Sequence, residues 1–317
     1  MALPKSFRGR LRLPVVAAPM FLVSGPALIV EACRSGVAAA FPALNQRTTD
    51  DFRAWMDEIR AGVGETGAPW GVNLIVHPSN PRLEADLAAC VEYRVPFVVT
   101  SLGAVPDLVE AVHGYGGVVF HDVTNLRHAR KAAQAGVDGL IAVCAGAGGH
   151  AGAASPFALV AEIRRFFDGT LLLAGAIGDG RQVAAALTMG ADLAWMGTRF
   201  IATRESLAPD AYKAMLREAT AADIVYTDAI SGVPANFLRA SLEANDFDVA
   251  ELARRGMGGG KLKDLGEEAK AWKTVWSAGQ GVGTIDDLPG TAELCERLAA
   301  EFDAACAAGV PWPPREG

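Results

Sequence analysis

Long apolar runs are missing from this 317-residue chain: none approaches the ~20 residues that a membrane-spanning helix needs. Met1 to Arg12 carries charges and lacks the apolar stretch and cleavage site of a secretory leader. A cytoplasmic protein with no membrane partner is expected. Basic residues come no denser than isolated pairs such as Arg164-Arg165, and the formal net charge is −7, which argues against nucleic acid or an anionic surface as partner. The five cysteines, Cys33, Cys90, Cys144, Cys295 and Cys306, are scattered and form no C-x-x-C pair, so neither a disulfide framework nor a metal site is expected. Internal repeats and low-complexity linkers are absent. No G-x-G-x-x-G follows the first strand, so a Rossmann site is excluded, although a barrel can bind NAD(P)H without one. Small-molecule chemistry remains.

What is present is a repeating β/α pattern. Hydrophobic residues make up 51% of the chain, enough for a large core. Val15 to Met20, Val37 to Leu44, Pro69 to Val76, Pro96 to Leu102, Val118 to Asp122, Gly139 to Cys144, Leu171 to Gly175 and Leu193 to Gly197 read as eight apolar strands. Helical spacing separates them: Gly25 to Arg34, Thr48 to Ala61, Arg82 to Arg94, Pro106 to Val112, Leu126 to Ala135, Ser155 to Phe167 and Gly180 to Met189. Near-continuous apolar strands joined by helices pair in parallel, and eight units favour a (β/α)8 TIM barrel over a doubly wound open sheet. From about Ala202 to Lys263 no strand is evident, and a helical insertion after strand eight is expected there. The barrel is assigned residues 1–203 and 264–317, the insertion 204–263, and Thr291 to Ala307 the last barrel helix.

In such a barrel ligands sit at the carboxyl ends of the strands. These ends are Ala18-Pro19-Met20, Asn73, Thr100-Ser101, His121-Asp122, Gly148-Gly149-His150, Gly175-Ala176 and Gly197-Thr198. Strands seven and eight end in glycine and small residues, where backbone N–H groups can hold a phosphate. The loop Gly146-Ala147-Gly148-Gly149-His150-Ala151-Gly152 lets backbone approach a flat or phosphorylated ligand and carries one imidazole able to move a proton near neutral pH. Asp179 and Asp192 read as capping or flanking residues rather than as chemistry.

Five of these stretches carry a resemblance. Ala18-Pro19-Met20, Gly71-Val72-Asn73, Ala147-Gly148-Gly149-His150-Ala151-Gly152, Ala174-Gly175-Ala176-Ile177-Gly178-Asp179-Gly180 and Met196-Gly197-Thr198-Arg199-Phe200 resemble the nitronate monooxygenase family, formerly called 2-nitropropane dioxygenases. The likeness resumes at Ser231-Gly232-Val233-Pro234-Ala235 and Ala278-Gly279-Gln280-Gly281. It implies noncovalent FMN and oxidation of alkyl nitronates or nitroalkanes by molecular oxygen. FMN-dependent enoyl reductases share the fold and similar Gly-Gly-His motifs, so an NAD(P)H-dependent reductase acting on an enoyl thioester or quinone is the alternative, and a non-redox isomerase or lyase is third. By the likeness, backbone at Ala18, Pro19 and Met20 lies along the flavin edge and Asn73 bonds its ring. Thr100, His121, Gly148 and Gly149 add contacts, and Gly175, Ala176, Gly197 and Thr198 bind the phosphate. His150 faces the substrate as the catalytic residue, in a pocket with Met20, Trp276 and Gln280. Many members place a lysine just after strand five, where this chain has His121-Asp122-Val123-Thr124; His121 is expected to replace part of that charge. A monomer or a homodimer fits equally.

Overall fold

The computed structural model describes residues 2–103, 106–255 and 272–309. Eight parallel strands close into a barrel in the order β1 (Val15–Ala17), β2 (Ala38–Pro42), β3 (Trp70–Ile75), β4 (Phe97–Ser101), β5 (Val118–Val123), β6 (Gly139–Val143), β8 (Thr170–Ala174) and β9 (Leu193–Met196), with β9 pairing back onto β1. All eight strands lie where apolar runs mark them. Between them stand α1 (Pro26–Arg34), α2 (Thr49–Val63), α3 (Leu83–Tyr93), α4 (Pro106–His113), α5 (Leu126–Gln134), α6 (Pro156–Arg164) and α7 (Gly180–Thr188). Their starts follow ordinary capping chemistry. Thr48 accepts from Asp51 N, Asn125 from His128 N and Asp179 from Gln182 N. Replacing Asp179 with Ala should therefore cost about 1 kcal/mol in chemical denaturation and leave cofactor uptake intact. Loss of cofactor without loss of stability would instead make Asp179 a site residue.

The C-terminal helix Thr291–Ala308 closes the ring against α7, as the spacing predicts. Gly180 lies so flat on it that an added Cβ would strike the Leu298 carbonyl and the Phe302 N–H. Among the described residues, no helix is long and apolar enough to cross a membrane.

The alternation of side chains along the strands divides the core in two. Outward residues such as Val15, Val72, Val98, Val119, Leu140, Leu171 and Ala194 pack against the helices. Inward residues Val16, Ala38, Phe97, Phe120, Ile141, Leu172 and Leu193 fill the barrel. The N-terminal segment plugs its lower end, with the Phe7 ring centroid 5.4 Å from Phe97 and 5.7 Å from Phe120. At the carboxyl ends the inward positions become small or polar, including Ala18, Asn73 and Ala174, which opens a mouth.

The stretch after β9 departs from the expected helical insertion. It contains α8 (Thr198–Ile201), α9 (Asp210–Glu218), α10 (Arg239–Glu243) and α11 (Val249–Arg255), but also the antiparallel pair β10 (Ile224–Thr227) and β11 (Ala235–Leu238). Ile224-Val225-Tyr226-Thr227 is a run of strand-forming residues, and four residues are too few to show a period. The glycine run Gly256-Met257-Gly258-Gly259-Gly260 and the boundary at 263/264 lie outside the described residues.

Candidate active site

β11 also pairs with the loop after β6. Gly149 and His150 form the two-residue strand β7, with Ala235 opposite His150 and Asn236 opposite Gly149. The loop is thus the third strand of a small sheet, not a free strand-to-helix connection. Asn236 Nδ2 donates to the Ala147 carbonyl at 2.7 Å, Ala151 N to Pro234 O at 3.1 Å, and Tyr226 OH to Ala151 O at 2.9 Å. Glycine and alanine would leave this backbone loose; the inserted hairpin holds it, and with it the imidazole. The Ser231-Gly232-Val233-Pro234-Ala235 stretch is the turn that delivers β11, with Gly232 at φ +79°.

The His150 ring meets the edge of Trp272, centroids 5.5 Å apart at 87°, and Trp272 stacks on Phe237 at 5.0 Å. Trp276 is placed elsewhere. It stacks on Tyr212 at 5.0 Å and 9°, donates its backbone N–H to Ser241 Oγ at 2.7 Å, and packs with Met20 against the core beneath the insertion. The tryptophan against His150 is therefore Trp272, whereas Trp276, expected to line the substrate pocket, lies with Met20. Gln280 is exposed over Gly146, whose carbonyl accepts from both Gln280 N at 2.8 Å and Ala176 N at 3.2 Å.

Strand register decides which predicted contacts reach the mouth. Thr100 and His121 sit in outward phase with Val98, Val119 and Val123, so their side chains face the helix layer and not a ligand in the barrel. Thr100 Oγ1 and His121 Nδ1 bond each other at 2.7 Å in that layer. Burial, reinforced by the nearby charges of His128 and Lys131, pushes the His121 imidazole down to about 4. It is neutral at neutral pH and cannot stand in for a lysine. The inward residues are their neighbours Ser101 and Asp122, in phase with Val99 and Phe120. Asn73 Nδ2 donates to Ser101 Oγ at 2.8 Å, and Ser101 Oγ donates to Asp122 Oδ2 at 2.5 Å. Burial pushes the Asp122 carboxyl up to about 6, against the pull of the Ser101 hydroxyl and of positive charge at His150.

The glycines around the mouth serve two purposes. Gly148 and Gly279 let two backbones touch: a Cβ on Gly148 would lie 2.8 Å from Gly279 N, and one on Gly279 2.6 Å from the Gly146 carbonyl. Gly279 N donates to Thr198 Oγ1 at 2.8 Å. Two of the predicted phosphate contacts, the Ala176 N–H and the Thr198 hydroxyl, are thus engaged with Gly146 and Gly279. Gly149 and Gly197 differ. A Cβ on Gly149 meets nothing within 4 Å, and one on Gly197 makes ordinary contacts, the nearest being Met20 Sδ at 3.6 Å, Ala18 Cβ at 3.8 Å and Met20 Cγ at 3.8 Å. Ala18, Met20 and Gly197 thus lie together where β1 and β9 end side by side. Pro19 lies within the same turn, braced by Asn45, which accepts from Leu22 N and donates to the Met20 and Ser24 carbonyls. Gly175, at φ +145°, ends β8 against the Ala145 carbonyl.

A pocket of about 400 Å³ opens beside this loop, with His150, Thr124, Ala153, Tyr226 and Pro234 among its walls.

Comparison with known proteins gives this geometry a family. A nitronate monooxygenase family model matches residues 82–301. The chain is 29% identical to the nitronate monooxygenase of Pseudomonas aeruginosa, over 91% of this chain and 96% of that one. It is 30% identical to the (3aS,4S,5R,7aS)-5-hydroxy-7a-methyl-1-oxo-octahydro-1H-indene-4-carboxyl-CoA dehydrogenase of Mycobacterium tuberculosis, over 83% and 72%. A solved nitroalkane oxidase from Streptomyces ansochromogenes superposes with a TM-score of 0.79 at 27% identity, covering 96% of this chain and all of that one. A closed parallel barrel, a Gly-Gly-His loop at its mouth and a match over more than half its length together place this chain in the nitronate monooxygenase family of oxidoreductases.

Proposed function

We propose that the protein oxidises small alkyl nitronates or nitroalkanes with FMN and molecular oxygen. The observation that carries this reading is the placement of His150: clamped into β7 by the inserted hairpin, against the Trp272 ring, close enough to feel the Asp122 carboxyl, and half-buried on the wall of a pocket.

The Ala18, Met20 and Gly197 cluster and the amide of Asn73 would hold a flavin ring. Backbone at Gly175 and Gly197 would hold the phosphate end, and Thr198, whose oxygen accepts from Gly279 N, has its own O–H to donate there. Bound there, FMN supplies the two-electron acceptor that passes electrons to oxygen. His150 as a neutral imidazole removes the α-proton of a nitroalkane; as a cation it holds the nitro oxygens of a nitronate. The clamp on β7 fixes the imidazole before substrate arrives, so little ordering remains to be done on binding. Trp272 excludes water from one side of the ring.

The experiment is uptake of FMN by purified protein, followed by anaerobic mixing with a nitronate, NADH and NADPH in turn. Bleaching by the nitronate alone is expected, at one FMN per chain. Failure to take up FMN overturns the cofactor, and bleaching by a nicotinamide favours the NAD(P)H-dependent reductase of an enoyl thioester or quinone. The carboxyl-CoA dehydrogenase relative lends that second reading its support. Of the two tryptophans, Trp272→Ala, beside His150, should raise KM for nitroalkanes several-fold, whereas Trp276→Ala, stacked on Tyr212, should act mainly on stability. The reverse pattern in steady-state kinetics and melting would contradict the placement of the two rings.

A further inference from the structure

Three side chains on neighbouring strands form a directed chain inside the mouth. The Asn73 amide donates to the Ser101 hydroxyl at 2.8 Å and to the Val99 carbonyl at 3.3 Å, and the Ser101 hydroxyl donates to Asp122 Oδ2 at 2.5 Å. These directions are fixed at both ends, because a backbone carbonyl and an ionised carboxylate can only accept. Both amide hydrogens of Asn73 are committed, and its Oδ1 is what the side chain can offer to an incoming ring. Asn73 is only 6% exposed, so turning the amide over would set two buried acceptors against each other.

We propose that Asp122 is a positioning residue for the flavin: through Ser101 it locks Asn73 with its carbonyl oxygen toward the mouth, so the ring is met by an acceptor for its N–H and by a nearby negative charge. This rests on the FMN reading above. The other titratable group acting on Asp122 is His150, across the mouth; His121, next along β5, faces the helices with His128 and Lys131. With its carboxyl raised to about 6, Asp122 is charged at neutral pH and loses that charge in mild acid. A carboxylate beside the ring opposes the addition of electrons, so removing it makes the ring easier to reduce.

The test is the midpoint potential of bound FMN, measured spectroscopically from about pH 5 to about pH 8, on either side of the Asp122 transition. Asp122→Asn retains an oxygen that can accept from Ser101 but carries no charge. It should favour reduced over oxidised FMN about tenfold at the alkaline end, equivalent to about 30 mV for a two-electron couple. The difference should vanish at the acid end, where the wild-type carboxyl is protonated too. Ser101→Ala keeps the charge and cuts the link. It should weaken FMN binding about tenfold, and adding Asn73→Ala should cost little more, since both remove one coupled interaction. A carboxylate with a structural role alone would alter melting and leave the pH dependence of the potential unchanged. Coincident potentials and slopes for wild type and Asp122→Asn overturn the proposal while leaving the cofactor reading intact. Wild-type protein that takes up no FMN overturns both.

Discussion

His150→Asn is expected to depress turnover of a neutral nitroalkane by ~10² to 10⁴-fold, the usual cost of a lost general base, while FMN stays bound. The loop around it offers no substitute: its other members are glycine and alanine, and the imidazole stands on a backbone held by β11. Turnover of a preformed nitronate should fall much less. Its α-proton is already gone, so only charge stabilisation is lost, and the ratio of the two losses reports the base role. Steady-state kinetics on both substrates decide it. Equal losses would make His150 a group that holds the substrate, and unchanged rates on both would reduce it to a structural residue. Asparagine is the informative replacement because it keeps a polar side chain of similar reach beside Trp272 without the proton.

The barrel was legible because its eight strands are buried on both faces, and such strands read as continuous apolar runs. That same continuity hid the phase of each strand. In Val98-Val99-Thr100-Ser101 and Phe120-His121-Asp122-Val123 no polar alternation marks the inner face, so Thr100 and His121 were as plausible as Ser101 and Asp122. A one-residue choice moved two contacts to the wrong side of the sheet. Counting back from Asn73 along the parallel register, which pairs Asn73 with Val99 and Thr100 with His121, would have carried the phase across. The inserted hairpin was hidden for a different reason. Its strands are four residues long, and β11 pairs with a segment more than eighty positions back, so nothing local announces the partner of His150. Trp272 and Trp276 sit one helical turn apart in sequence, and only the tertiary fold sends one to His150 and the other to Tyr212.

Glycines at the mouth were read as room for a ligand, and the structure separates two kinds among them. Gly279 has φ −87°, an ordinary value for any residue, so a substitution there tests space alone. Its Cβ would fall 2.6 Å from the Gly146 carbonyl and 2.9 Å from Gly148 N, both backbone atoms with nowhere to move. Gly279→Val should therefore lift the Ala278-to-Thr284 segment off the barrel and break the bonds from Gly279 N to Thr198 and from Gln280 N to Gly146. Overpacking of about 1–3 kcal/mol and two hydrogen bonds of about 1 kcal/mol each sum to about 3–5 kcal/mol, a fall in Tm of about 5–8 °C for a chain of this size. Gly149 is the control. It stands at φ +68° with nothing within 4 Å of an added Cβ, so Gly149→Ala should cost only the ~1–2 kcal/mol of left-handed backbone strain. Thermal melts of the two variants settle the distinction: a larger loss for Gly149→Ala than for Gly279→Val would mean that the returning segment is not seated against the Gly146-to-Gly148 backbone.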